Sequence, residues 1–121
     1  INIEKFEKFV NARRVNLTLD VAKAVLCGMD PYQFFQKNRS SVKVMHFHGF
    51  NHGSNYHIGF AGHNFDWSGF MSFVKKFDYA GSVTVEIFPM QKFVHFGLPS
   101  KKAFESAKSF VRENFEILKR A

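Results

Sequence analysis

Apolar residues recur along the chain with two alternating periods, one helical and one extended. Near the amino-terminal end Ile3, Phe6, Phe9 and Val10 fall at helical spacing among Glu4, Lys5, Glu7 and Lys8, which predicts an amphipathic helix ending near Asn11. Val15 to Asp20 then alternates Val, Asn, Leu, Thr, Leu, Asp, the signature of a strand. A helical stretch follows, broken at Gly28 and restarted near Asp30 and Pro31, where Asp caps and Pro suits the first turn. Its second part runs from Tyr32 to Lys37. Val42 to His48 is a second strand, short and Val-rich, leading into a loop full of Gly, Asn and His. Asp66 caps the next helix, which places Trp67, Phe70, Phe73, Val74 and Phe77 on one side and ends near Asp78, before Gly81. Ser82 to Ile87 alternates as a third strand. A loop through Pro89, Gly97 and Pro99 precedes a last helix capped by Ser100, with Phe104, Ala107, Val111, Phe115 and Leu118 three or four apart.

Strands thus alternate with helices, without tight hairpin signals and with connections long enough for crossovers. That order argues a parallel sheet and an α/β class. Three strands cannot close a barrel, and a parallel sheet wants both faces covered, so an apolar edge awaits completion by other chain. The expectation is one partial (β/α) barrel domain over residues 1–121, a fragment of a larger chain that opens at Ile1 inside a helical pattern.

The alternation also sorts polar side chains. Asn16, Thr18 and Asp20 share one face of the first strand; Val44, His46 and His48 share one of the second; Ser82, Thr84 and Glu86 share one of the third. With the apolar faces under helices, these polar faces look into a common interior, with carboxylates and an imidazole at the carboxyl ends. Parallel barrels place their sites there, because the loops converge over the mouth. Asp20, His48 and Glu86 supply one nitrogen and two oxygen donors, a set suited to Zn²⁺, Mn²⁺, Co²⁺ or Mg²⁺. Five His fall between positions 46 and 63. Of these His46, one step deeper than His48, is a candidate to hydrogen-bond a ligand or to support one from behind, and His57 is a further candidate, whereas His52 and His63 read as bystanders; His95, in the last loop, reads as incidental.

Composition narrows the setting. An apolar content of 45% in 121 residues excludes a mostly disordered chain, and 17 Phe point to a core of large rings rather than disulfides. The single Cys27 fits a reducing, cytoplasmic compartment and reads as a small core residue in the run Val25, Leu26, Cys27. No apolar run approaches the ~20 residues of a membrane-spanning helix. The net charge of +7 favours phosphorylated ligands or nucleic acid without choosing between them.

Four segments, LTLDVAKA, VMHFHGF, HIGFAGHNFDW and KKFDYAGSVTVEIF, together resemble the last strands of the xylose-isomerase-like TIM barrel superfamily, from about Val15 to Glu86. That superfamily holds sugar and sugar-phosphate isomerases and epimerases as well as abasic-site nucleases of the endonuclease IV type. The resemblance implies the carboxyl-terminal portion of a (β/α)8 barrel, about three βα units, with Asp20, His48 and Glu86 as metal ligands and His46 or His57 near substrate or a further metal. The family often has His three residues after the first of these, where this chain has Lys23. A three-metal nuclease would lose a ligand there, while an isomerase would gain a cation for a hydroxyl or phosphate.

The leading expectation is therefore a metal-dependent isomerase or epimerase of a sugar or sugar phosphate, with Glu86 as base and ligand and Lys23, His46 and His57 binding substrate. The alternatives are an abasic-site DNA nuclease and a barrel fragment without activity, completed by the rest of the barrel or by a second copy of the chain.

Overall fold

A computed structural model describes residues 4–6, 8–9, 15–50, 56–60, 65–87 and 101–120, with the backbone alone at 56, 57 and 102–104. After a helical stretch at residues 4–6 and 8–9, the elements are β1 (Leu17–Asp20), α1 (Val21–Leu26), α2 (Pro31–Asn38) and β2 (Val42–Phe47). They continue with β3 (Gly49–Phe50), β4 (Tyr56–Ile58), α3 (Trp67–Lys75), β5 (Ser82–Val85) and α4 (Lys101–Lys119). The chain is mixed α/β, built on a parallel three-stranded sheet in the order β1-β2-β5. Both outer strands have one edge without a strand partner among the described residues.

Cross-strand register separates the two faces of this sheet. Leu19, Met45 and Val83 stand side by side, as do Phe47 and Val85, and this face lies under the helices. The next row over, Asp20, His46 and Thr84, belongs to the opposite face, where Thr18, Ser82 and Thr84 are exposed. A β-bulge lets one step in β1 (Leu17 to Thr18) match two in β2 (Val42 to Val44). Strict alternation would put Val42 on the polar face with Val44; the bulge turns it into the core, where it is 1% exposed.

The core is aromatic. Phe35, Phe47 and Phe70 are fully buried, and Trp67 sits 4.8–5.4 Å from the rings of Phe65, Phe60 and Phe47. Tyr32 meets Phe70 and Phe73 edge-on, each at 5.0 Å, which ties α2 to α3. Full burial of one such ring contributes ~1.5–3 kcal/mol, so the helices that carry them hold to the sheet without a staple.

Helix ends follow local chemistry. Asp30 accepts the N–H groups of Tyr32 and Gln33 ahead of Pro31, and Asp66 accepts that of Gly69, as the sequence predicts. At the end of α1, Gly28 takes φ 72° while its N–H reaches Val25 O and that of Met29 reaches Ala24 O, a Schellman closure.

Three expectations need correction. The segment after His48 is not plain loop: β3 and β4 form an antiparallel pair, Gly49 opposite Ile58, without the two-residue turn that would mark it in sequence. Cys27 is exposed rather than in the core, because it caps α1 beyond the last buried turn. On α4 the inward positions are Ala107, Asn114 and Leu118, whereas Phe115 is 44% exposed. The loop through Pro89, Gly97 and Pro99, the cap Ser100, and His52, His63 and His95 lie outside the described residues. Among the described residues no helix is long and apolar enough to cross a membrane.

Candidate metal centre

β1 ends at Asp20, and α1 starts at the next residue, so this side chain is at once a strand end and a helix cap. Its Oδ1 accepts the Lys23 N–H at 3.0 Å, and its Oδ2 lies 2.9 Å from the Lys23 ammonium. Burial alone raises the Asp20 carboxyl. The His48 ring, the Lys23 N–H and the Lys23 ammonium outweigh it and hold the carboxyl well below the usual carboxylate range. The same contact raises Lys23, chiefly through its hydrogen bond to Asp20 and then through charge, with a smaller contribution from Glu86.

His48 follows β2 and continues its alternation, which carries the ring to the polar face at the level of Glu86. It is fully buried, with Nε2 3.2 Å from Asp20 Oδ1 and Nδ1 3.1 Å from the carbonyl oxygen of Gly49. A carbonyl only accepts, so a proton on Nδ1 satisfies that contact. The Nε2 edge faces the Asp20 carboxylate, and 3.2 Å is long for a charge-assisted bond, which is usually about 2.7–2.9 Å. A cation held between these groups would be attracted to the carboxylate and would take the Nε2 lone pair in place of a proton.

Glu86 follows β5, and its N–H bonds to Phe47 O at 2.8 Å, extending the parallel pairing by one residue. Its Oε1 lies 3.1 Å from His46 Nδ1, both side chains being 30% exposed on the open face. One donor atom each from Asp20, His48 and Glu86 falls within 4.8 Å of the others. Donors sharing one ion at about 2.0–2.2 Å span at most about 4.4 Å, so small side-chain movements close the set. Two carboxylates and an imidazole suit a divalent cation, and the trio could hold one.

The structure thus brings Asp20, His48 and Glu86 together, with Lys23 on the first and His46 on the third. His57 falls in β4, but its side chain lies outside the described residues. Beside Asp20 and Lys23 a groove of 380 Å³ opens along β1, lined mainly by apolar side chains including Phe6, Leu19, Met29 and Phe34. Two functional features are absent from the sequence reading: the capping role of Asp20, signalled by Asp three residues before Lys23 at a strand-to-helix junction, and the Gly49 carbonyl behind His48, which has no sequence signal. The chain matches no protein-family model and no curated protein.

Proposed function

We propose that this chain is the carboxyl-terminal portion of a (β/α)8 barrel of the xylose-isomerase-like kind, and that Asp20, His48 and Glu86 are divalent-cation ligands of a sugar or sugar-phosphate isomerase or epimerase. The observation that carries the reading is the convergence of these three donors at the carboxyl ends of adjacent parallel strands. The remainder of the barrel, or a second copy of the chain, would complete the ligand set and cover the open face. Zn²⁺, Mn²⁺, Co²⁺ or Mg²⁺ suits the donors.

A bound cation would polarise the substrate carbonyl and stabilise negative charge on its oxygen. Glu86 takes the proton from the carbon next to the carbonyl, and the C–H electron pair forms the carbon–carbon double bond as the carbonyl pair moves onto oxygen. A proton delivered to the same carbon from the opposite face, by an acid from the rest of the barrel, gives the epimer, whereas return to the former carbonyl carbon, with the hydroxyl proton passing to the former carbonyl oxygen, gives the isomer. His46 holds one Glu86 oxygen at 3.1 Å and presents its other edge to the open face, where sugar hydroxyls would lie. Lys23, 61% exposed, can leave Asp20 for a substrate phosphate. The adjoining groove is too apolar to be the seat of the sugar ring itself.

The test is exchange of a carbon-bound substrate proton with solvent deuterium in the complete protein. Exchange should disappear in Glu86→Gln; exchange retained in that variant would remove Glu86 from the role of base. The net charge of +7 also suits a second reading, an abasic-site DNA nuclease, without selecting it over a sugar phosphate. Steeply salt-dependent cleavage at abasic sites, without proton exchange, would select it.

A further inference from the structure

Asn114 is a buried amide, 3% exposed, on the inner face of α4, and the ligand chemistry above does not use it. Its Oδ1 accepts the N–H of Phe60 at 2.5 Å, and its Nδ2 donates to the carbonyl of Phe110 at 2.7 Å. Both halves of the amide are therefore committed, one to its own helix and one to the chain just past β4. Gly59 fits beneath it so closely that a Cβ there would lie 2.7 Å from the Phe110 ring and 2.8 Å from the Asn114 amide oxygen. Across the hairpin, a Cβ on Gly49 would overlap the carbonyl oxygen of Gly59. The backbones at 49 and 59 are thus pressed together, with no side chain between them. Gly49 in turn offers its carbonyl to His48 Nδ1 at 3.1 Å.

We propose that Asn114 is a positioning residue for His48: it clamps the Gly59–Phe60 segment to α4, which fixes β3 against β4 and aims the Gly49 carbonyl at Nδ1, so that the neutral ring presents Nε2 to the centre. The inference rests on the reading of Asp20, His48 and Glu86 as a cation site. Its physical content is that a backbone acceptor behind a histidine sets which nitrogen is the donor to a metal, and that such supporting contacts are worth about 10–100-fold in affinity. A carbonyl one residue along the chain is a useful acceptor only while the local backbone is held, and the hairpin does this holding. The buried amide suits the task because a hydrophobic residue at 114 would leave the Phe60 N–H without its acceptor inside the protein.

The measurement is ¹⁵N NMR of the His48 ring in the zinc-free and zinc-loaded protein, together with zinc titration of the same samples. With zinc bound, Nε2 should carry the metal and Nδ1 a proton that exchanges slowly with solvent. Asn114→Ala should shift the ring signals of the zinc-free protein, speed exchange of the Nδ1 proton in the loaded one, and weaken zinc about 10–100-fold. Asn114→Asp, when its carboxyl is protonated, keeps an acceptor for Phe60 and a donor for Phe110 and should restore the wild-type signals and affinity. Should Asn114→Ala fail to fold, Asn114→Ser, whose shorter side chain cannot span both contacts, takes its place with the same expectation. Zinc held through Nδ1, or a folded Ala or Ser variant with unchanged ring signals and zinc affinity, would overturn the inference. Ring signals that shift in the variant of a protein that binds no zinc support the positioning role while removing the cation reading.

Discussion

Asp20 Oδ1 lies 3.2 Å from His48 Nε2 across the ends of two paired parallel strands, and the same oxygen accepts the N–H that starts α1. One carboxylate therefore serves the helix and the candidate centre together. This sharing means that stability and cation binding respond differently to different replacements.

Asp20→Asn keeps an oxygen for the Lys23 N–H but loses the charge, whereas Asp20→Ala loses both. Urea unfolding should show the Ala variant less stable than the Asn variant by about 1 kcal/mol, the usual worth of an N-cap. Zinc binding should be lost to a similar degree in both. Equal stabilities would show that the cap contributes nothing.

The depressed Asp20 carboxyl sets a pH dependence. A group whose folded pKa lies below its unfolded value adds stability that is complete above the unfolded value, about 4, and disappears as pH falls through the folded one. The urea midpoint of the wild type should therefore fall between about pH 5 and pH 2. In Asp20→Asn it should fall less over the same range. Parallel curves would mean that Asp20 is not held low.

Lys23 places a positive charge 2.9 Å from a carboxylate that is to receive a cation. Removing it in Lys23→Met should strengthen zinc binding about two- to fivefold, in line with the modest worth of an exposed ion pair. His48→Ala should weaken binding by far more. A zinc titration followed by calorimetry separates these, and saturation at about 100 times Kd should add roughly 2.7 kcal/mol to wild-type stability.

Gly28 adopts φ 72° with open space where a Cβ would stand, so a substitution there meets backbone strain without a clash. Gly28→Ala should cost about 1 kcal/mol in urea unfolding. Zinc binding should be unchanged, because the turn closes the far end of α1 from Asp20.

Much of the site is legible from alternation. The sequence predicts the strands of Asp20, His48 and Glu86, places the three on one face and at one end, and the structure brings their donors within 4.8 Å of one another. What it does not reveal are contacts between residues with no shared period. The Gly49 carbonyl behind His48 depends on a hairpin with no tight-turn signature, and Asn114 sits at an inward helical position that a search for apolar residues passes over.

The sequence by itself determined the order of the three parallel strands and the helices between them, the caps at Asp30 and Asp66, and which side of those strands carries Asp20, His48 and Glu86, because these depend on backbone geometry over a few residues. Tertiary structure alone decided which strands pair and where they slip. The bulge beside Lys43 buries Val42, the register sets His46 between Asp20 and Thr84, and α4 reaches the hairpin through Asn114. Such choices turn on how aromatic side chains pack and which buried polar groups find partners, and no local pattern records that.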